Sequence, residues 1–344
     1  KFILGFHDAC VNNPDTYPRL RSIIHKILSQ MTVPLIQGLI YNLRENDRDR
    51  VKLYAQAVVP LIAGCNPSLH AFLKESLITS NFNVVKTEDY IEALQSVYSC
   101  LGVTCEDVGV YQSGAKCQDT PTLNPMAGYV PKTDVRKIAT LDLDILHANI
   151  FMKKKAYSAV KDIYSFGKHA FVETLQGEEL LSLEQLARTS ARDIVPSFSY
   201  FKRFFEDEFD NDANAKIYGH YFITRALDEG EIPMASQEQR REMVTKSLQY
   251  MVGYMAALQY MYEAVDDCES NDSGRQKNAA SKWDQAAALL IGSLEGAEDG
   301  GTVDGMMMHN LANKRCQQFG RCNSEGNAIA NDELMILLYA GRGE

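Results

Sequence analysis

Apolar residues recur at alternating steps of four and three residues along 236–265, and this period constrains the fold most strongly. They are Val244, Leu248, Met251, Met255, Leu258, Tyr262 and Val265. Such spacing places them on one face of a long helix that packs lengthwise against other helices. Ser236 and Gln239 at its start have the spacing of a capping box. Because no stretch alternates convincingly with period two, the sequence predicts an all-α fold, a multi-helix bundle stabilised by disulfides.

A second capping box, formed by Ser182 and Gln185, predicts another long helix that runs toward Phe209 with a kink at Pro196. Helical patterns of the same kind recur along most of the chain. They cover about 17–44, 49–64, 67–79, 87–101, 134–150, 153–167, 213–228, 281–295, 303–319 and 328–340.

Glycine and proline concentrate in 102–132, which is typical of a long loop or a linker. The predicted organisation is therefore an N-terminal helical half over 1–110, a linker over 111–132 and a C-terminal helical half over 133–344. Residues 89–102 can also be aligned with 282–296. This match has two interpretations: two similar helical halves, or the chance likeness of two amphipathic helices.

The charge balance argues against one large class of partners. Thirty-five Lys and Arg against 45 Asp and Glu give a net charge of −10, which repels phosphate backbones, so no nucleic acid is expected. An acidic surface suits a cation such as a metal ion, although soluble proteins are commonly acidic as well. The sequence contains no nucleophile elbow, zinc-protease motif, P-loop or dinucleotide fingerprint, so the protein is not expected to be an enzyme.

The eight cysteines are even in number and include no C-x-x-C pair, which favours disulfides over a zinc site. The short spacing predicts a Cys316–Cys322 bond. Two of Cys100, Cys105 and Cys117 are also expected to pair locally. The alternative is a set of free, buried thiols.

Three further features bear on the location of the protein. The chain starts at Lys1 without a methionine, so we expect that an upstream segment such as a signal peptide has been removed. No run of 18 apolar residues is present, so no transmembrane segment is predicted. Asn271 begins an Asn-Asp-Ser sequon in a polar loop, the pattern of a glycosylation site in a secreted protein.

Candidate metal ligands come from two places in the sequence. Asp144 and His147 are three residues apart and therefore lie on adjacent turns of one helix face. Asp142 would join them only if the helix began or broke there; otherwise the two aspartates form an acidic first turn that stabilises the helix dipole. Asp284 and Glu295 share a helix face but are about 16 Å apart along it, so a common ion needs a further chain segment.

Each alternative to ligation is structural. Glu295 begins an acidic, glycine-rich stretch with Glu298 and Asp299 and is alternatively part of a solvated loop. His309 follows three methionines, where packing is the expected role. His169 has no acidic neighbour at helical spacing and is expected on the surface or in the core.

Two series of motifs carry a resemblance to a known family. They are Trp283-Asp284, Gly292-Ser-Leu-Glu-Gly296, Gly300-Gly301 and Leu311-Ala-Asn-Lys-Arg-Cys316 with Phe319 and Cys322, and, earlier, 128–135, Leu141-Asp-Leu-Asp144, Ala156-Tyr157 and Ile163-Tyr164-x-x-Gly167. In this order they resemble the algal low-iron-inducible periplasmic proteins, iron-assimilation proteins that are also described as high-carbon-dioxide-inducible. The first 100 residues carry no matching motif.

The resemblance implies a secreted, periplasmic or cell-surface protein of a microalga that binds ferric or ferrous iron and delivers it without catalysis. A cell-surface reductase or transporter would receive the iron. Asp142, Asp144, Asp284 and Glu295 are expected ligands because they stand inside the matching motifs, and His147 joins them by its spacing. Two alternatives stay open: a surface module that recognises an iron chelate or a protein without holding bare metal, and a site for a small anion such as bicarbonate.

Overall fold

The computed structural model describes residues 17–63, 65–80, 83–111, 126–174, 177–194, 218–228, 236–296 and 305–342. Helices dominate these ranges, so the all-α prediction is confirmed. A small hairpin interrupts them, in which β1 (Phe171–Thr174) pairs antiparallel with β2 (Gly177–Leu180).

The chain divides into two compact units, Lys1–Thr122 and Leu123–Glu344, and the division falls inside the stretch 111–132. The helices of the first unit are α1 (Tyr17–Arg44), α2 (Arg48–Ile62), α3 (Pro67–Lys74), α4 (Thr87–Gln95), α5 (Tyr98–Leu101) and α6 (Cys105–Val108). A π-helical segment, Glu75–Thr79, continues α3, and a 3-10 segment, Val84–Lys86, precedes α4. The core of this unit is aliphatic, with Ile36, Leu39 and Val58 fully buried.

The second unit holds the residues that concern the candidate sites. Its helices are α7 (Arg136–Ala139), α8 (Leu141–Lys153), α9 (Tyr157–Phe166), α10 (Leu183–Ile194), α11 (Tyr218–Leu227), α12 (Gln237–Ser247), α13 (Tyr254–Glu269), α14 (Ser273–Ile291), α15 (Met308–Phe319) and α16 (Ile329–Gly341). The hairpin lies between α9 and α10, and a 3-10 segment, Ser293–Glu295, follows α14.

The predicted capping box of the long apolar run is confirmed. The Gln239 amide donates to Ser236 Oγ at 3.2 Å, and the Ser236 amide donates to Gln239 Oε1 at 2.7 Å. A π-helical segment, Leu248–Gly253, joins α12 to α13 inside this run, which the apolar period did not predict.

Of the second capping box, the hydrogen bond from the Gln185 amide to the Ser182 side chain is found. The Gln185 amide donates to Ser182 Oγ at 3.0 Å at the start of α10. The predicted extension toward Phe209 and the kink at Pro196 lie outside the described residues.

One disulfide follows the sequence prediction, and another was not predicted. The Cys316–Cys322 bond is confirmed. Cys100 bonds to Cys65 and is therefore not one of the two cysteines expected to pair locally; this bond spans 35 residues, and spacing cannot reveal such a contact. Cys105 is also disulfide-bonded, and Cys117 lies outside the described residues. Among the cysteines that the structure describes, Cys268 is free and exposed.

Two further features bear on location. The segment Ile23–Arg44 of α1 is long and apolar enough to cross a membrane, a property it shares with core helices and signal sequences. The absence of a transmembrane segment therefore stays a prediction. Asn271 is exposed immediately before α14, and its glycosylation stays a prediction as well.

Candidate metal centre

Asp142, a predicted ligand on the first turn of α8, is fully buried and holds the turn that follows α14. Its Oδ1 accepts a hydrogen bond from Ser293 Oγ and its Oδ2 one from the Leu294 amide, each at 2.7 Å. Burial raises the pKa of Asp142 to about 7; its hydrogen bonds oppose this rise, and the charge of Glu295 adds to it. Both oxygens therefore have structural partners.

Because the pKa of Asp142 is raised in the folded state, we expect the free energy of unfolding to decrease as the pH rises. The ordinary pKa is 3.8, so the folded state holds a proton that the unfolded chain releases. The stabilisation is complete below pH 3.8 and is lost as the pH rises through about 7, which amounts to about 2 to 3 kcal/mol between pH 5 and pH 8. Denaturant titrations across this range should show the decline, and Asp142→Asn, which stays neutral, should reduce it. Equal slopes for the two proteins would contradict this assignment.

Asp144, also fully buried, fixes the backbone that leads into β1. Its Oδ1 accepts from the His169 amide at 3.0 Å and its Oδ2 from the Lys168 amide at 3.3 Å, with a further bond from the Ala170 amide. Burial raises the pKa of Asp144 to about 7 against these three bonds. The carboxylate thus clamps the segment 168–170 onto α8.

His147 lies one turn further along α8 and faces the side chains of the same segment. Its Nδ1 is 3.1 Å from Lys168 Nζ and 3.2 Å from His169 Nε2. Burial, assisted by the charge of Lys168, lowers the pKa of His147 to about 4, so its ring is neutral at pH 7. Asp144 and His147 thus both contact the segment 168–170, but the carboxylate binds backbone amides whereas the imidazole contacts the side chains of Lys168 and His169.

Asp284, the predicted ligand on α14, is fully buried and anchors the segment that precedes α7. Its Oδ1 accepts from Tyr129 Oη at 2.6 Å. Its Oδ2 accepts from the amides of Lys132 and Thr133, both at 2.8 Å, and from Thr133 Oγ1 at 2.9 Å. Burial, then the bond to Asp284, raises the pKa of Tyr129 above its ordinary range. Four donors therefore surround this carboxylate.

Glu295 is 2% exposed, so the alternative of a solvated loop does not hold for it; Glu298 and Asp299 lie outside the described residues. Its Oε2 is 3.2 Å from Nδ1 of the equally buried His309. His309 therefore has a polar contact in addition to the packing role expected for it.

The five predicted ligands thus occupy separate environments. Asp142 lies near Glu295 and Asp144 near His147, whereas Asp284 makes its contacts with 129–133. Within the described ranges, no group of three or more His, Cys, Asp or Glu side chains is arranged to hold a metal ion. Because Asp142, Asp144 and Asp284 direct their oxygens at hydrogen-bond donors, the structure does not favour them as ligands.

A different cluster, which counts a tyrosine among its donors, joins three helices of the second unit. Tyr164 of α9 and His220 of α11 are hydrogen-bonded, with Oη 2.9 Å from Nδ1, and their rings stack at 5.8 Å. Oε1 of Glu184, on α10, is 3.8 Å from the same His220 nitrogen. Sequence reasoning missed this cluster, although Tyr164 stands inside a resembling motif. We call the side chains of Tyr164, Glu184 and His220 the three-donor cluster.

Arg188 sets the charge of the three-donor cluster. Its Nε donates to Glu184 Oε1 and its Nη2 to His220 Nε2, both at 2.8 Å. Burial opposes ionisation of Glu184, but hydrogen bonds from Ser165 and Arg188 outweigh it and lower the pKa of this carboxyl. Burial and then Arg188 lower the pKa of His220. Glu184 is therefore an anion beside a neutral imidazole.

Tyr164 completes the cluster as a buried phenol. Burial, and next the charge of Glu184, raises its pKa above the ordinary range, so it carries its proton when no cation is near. The side chains of His220 and Glu184 are 13% and 23% exposed, which leaves an edge of the cluster open to solvent.

The donor separations fit one six-coordinate ion. With metal–ligand bonds of about 2.1 Å, neighbouring ligands of an octahedral ion lie about 3.0 Å apart and opposite ligands about 4.2 Å apart. The observed 2.9 Å is close to the value for neighbouring ligands, and the observed 3.8 Å lies between the values for neighbouring and opposite ligands. The phenol and carboxylate oxygens each therefore lie within ligand–ligand distance of the same imidazole nitrogen.

Comparison with protein families, with curated proteins and with solved structures finds no match to this chain. The likeness to the algal iron-assimilation proteins therefore stays a prediction from the motifs.

Proposed function

We propose that the protein captures ferric iron outside the cell, without catalysing a reaction, through Tyr164, Glu184 and His220. The observation that carries this proposal is that a phenol oxygen and a carboxylate oxygen lie 2.9 and 3.8 Å from one imidazole nitrogen. Hard ferric iron favours oxygen donors, and imidazole also suits iron. The iron expected from the motifs is retained, but the ligands differ from those predicted.

Binding would change the charges of the cluster in a defined way. The ion would displace the Tyr164 proton to solvent, and the His220 proton would move from Nδ1 to Nε2 as Arg188 leaves that nitrogen. The phenolate and Glu184 would together supply two negative charges. Arg188, whose side chain is 47% exposed, has room to turn away from the incoming cation. Water or a small chelator would fill the remaining positions, which suits a protein that must later release the ion.

The extracellular location rests on covalent evidence and on the motifs. The Cys65–Cys100 and Cys316–Cys322 bonds favour an oxidising compartment. The resemblance adds the assignment to iron assimilation in an alga and the expectation of a reductase or transporter as receiver.

Arg188 favours a second candidate function, the recognition of an iron chelate in place of the bare ion. Its guanidinium lies beside the three donors and is half-exposed, which suits the carboxylates of a chelator such as citrate. If this function applies, ferric citrate should bind more tightly than ferric iron supplied by a weaker chelator, and Arg188→Ala should remove the preference.

The iron proposal predicts a spectroscopic signature that depends on Tyr164. Purified protein titrated with a weak ferric chelate should bind one ion per chain and develop a visible phenolate-to-iron charge-transfer band. Tyr164→Phe should abolish the band and weaken binding at least about tenfold, or about 1.4 kcal/mol. Tyr157→Phe, which removes a hydroxyl from the same helix α9, is the control and should retain both properties. The proposal fails if wild-type protein gives neither heat nor colour, or if the band survives in Tyr164→Phe.

A further inference from the structure

The iron proposal leaves the Asp144-x-x-His147 motif without a role in binding, yet the contacts around it are unusually well fixed. His147 belongs to α8 and is 9% exposed, so packing limits the movement of its ring. The backbone of His169 is held on the same helix by the buried Asp144 carboxylate. Two imidazoles from segments 22 residues apart are therefore held with their nitrogens 3.2 Å apart.

We propose that His147 Nδ1 and His169 Nε2 form a second metal site, which binds a borderline divalent transition ion such as Cu²⁺ or Zn²⁺ and is independent of the three-donor cluster. The ligand chemistry supports this class of ion, because neutral imidazole is a preferred ligand of copper and zinc.

The separation of the two nitrogens matches a shared ion. Metal–nitrogen bonds of about 2.1 Å place two ligands about 3.4 Å apart in tetrahedral and about 3.0 Å apart in octahedral geometry. The observed 3.2 Å lies between these values, so both nitrogens can ligate one ion at their present separation once the proton between them has moved to solvent or to the other nitrogen of its ring. Because the described residues offer no third His, Cys, Asp or Glu at this point, water or an exogenous anion would complete the coordination.

Asp144 acts at this second site as a positioning residue. Its carboxylate accepts hydrogen bonds from the backbone amides of Lys168 and His169 and so fixes the loop that carries the His169 imidazole. Outer contacts of this kind orient metal ligands and raise affinity by limiting their freedom.

Lys168 provides a test that separates the metal site from a structural histidine pair. Its ammonium donates to His147 Nδ1 at 3.1 Å and so competes with a cation for the same lone pair, while its side chain is exposed enough to move away. Removing this charge should strengthen metal binding. If the two histidines are only a structural hydrogen-bonded pair, the protein should bind no ion at this position, with or without Lys168.

The experiment uses the full chain with Cu²⁺ and Zn²⁺ salts in calorimetry, and electron paramagnetic resonance of the copper complex. We expect one ion per chain and nitrogen hyperfine structure from two imidazoles. His169→Ala, the less buried of the pair, should weaken binding at least about tenfold, whereas Lys168→Gln should strengthen it about threefold or more. His70→Ala, in the first unit, is the control and should leave both ions bound as in the wild type.

Two outcomes would overturn the inference: wild-type protein that binds neither ion, or copper binding with the same affinity and spectrum in His169→Ala. Circular dichroism of each variant verifies that it is folded. The two metal sites are separable, because Tyr164→Phe should leave the copper signal unchanged and His169→Ala should leave the ferric band unchanged.

Discussion

Asp284→Ala is expected to lower the free energy of unfolding by about 3–5 kcal/mol, one of the two largest effects predicted for a single substitution in this protein. The carboxylate is fully buried and accepts four hydrogen bonds, from Tyr129, Lys132 and Thr133. Alanine removes the acceptor and leaves the buried Tyr129 hydroxyl and two partly buried amides without it. In a unit of this size the melting temperature should fall by roughly 10 °C.

Two further variants, a milder substitution and a surface control, help to interpret the stability of Asp284→Ala. Asp284→Asn keeps one acceptor oxygen and should lose less stability than Asp284→Ala. Asp266→Ala removes an exposed carboxylate from α13 and should change the melting temperature by less than about 2 °C. If Asp284→Ala melted like the wild type but no longer bound iron, Asp284 would be a ligand, as the sequence predicted, and its structural role as the anchor of 129–133 would be wrong.

Gly292→Ala is expected to destabilise the protein by about 3 kcal/mol, for two separable reasons. Gly292 has φ +89° and ψ 161°, a region that is almost confined to glycine. A Cβ there would also lie 2.5 Å from Asp142 Oδ2 and 3.0 Å from Met307 Cγ, and would push the carboxylate away from the Leu294 amide.

Gly296 offers a matched control for the backbone strain. Its φ is +79° and its ψ −178°, but a Cβ on this residue would meet nothing within 4 Å. Gly296→Ala therefore measures strain alone, and Gly292→Ala should exceed it by about 1–2 kcal/mol in denaturant titrations, the contribution of the crowded Asp142 contact. Equal losses in the two variants would show that the carboxylate of Asp142 can move freely, which contradicts its role in holding the turn after α14.

The features that could be predicted from the sequence are local ones. The apolar period that begins at Val244 depends on side chains within a few residues of each other, as does the box of Ser236 and Gln239. The box is found, and Val244, Leu248 and Met255 are buried, but Tyr262 and Val265 at the end of the predicted face are exposed. The Cys316–Cys322 bond closes a loop short enough for spacing to suggest it. The π-helical segment Leu248–Gly253 was missed because one additional residue per turn leaves hardly any trace in an apolar pattern.

The candidate sites depend on contacts between distant segments. Acidic residues in motifs were reasonable ligand candidates, but the partners of Asp142, Asp144 and Asp284 include backbone amides, which no side-chain pattern announces. Tyr164 and His220 are 56 residues apart and meet only because α9, α10 and α11 pack together. The only indication of this cluster in the sequence was that Tyr164 stands in one of the motifs that resemble the algal family.

The most direct test of the iron site is anomalous scattering at the iron edge from crystals soaked in a weak ferric chelate. We expect an anomalous peak between Tyr164 Oη, Glu184 Oε1 and His220 Nδ1, within about 2.3 Å of each atom. The peak should be absent from crystals of Tyr164→Phe. An iron peak at Asp284 or Glu295, or no iron peak in wild-type crystals that soak up the chelate, would contradict the assignment of the three-donor cluster as the iron site.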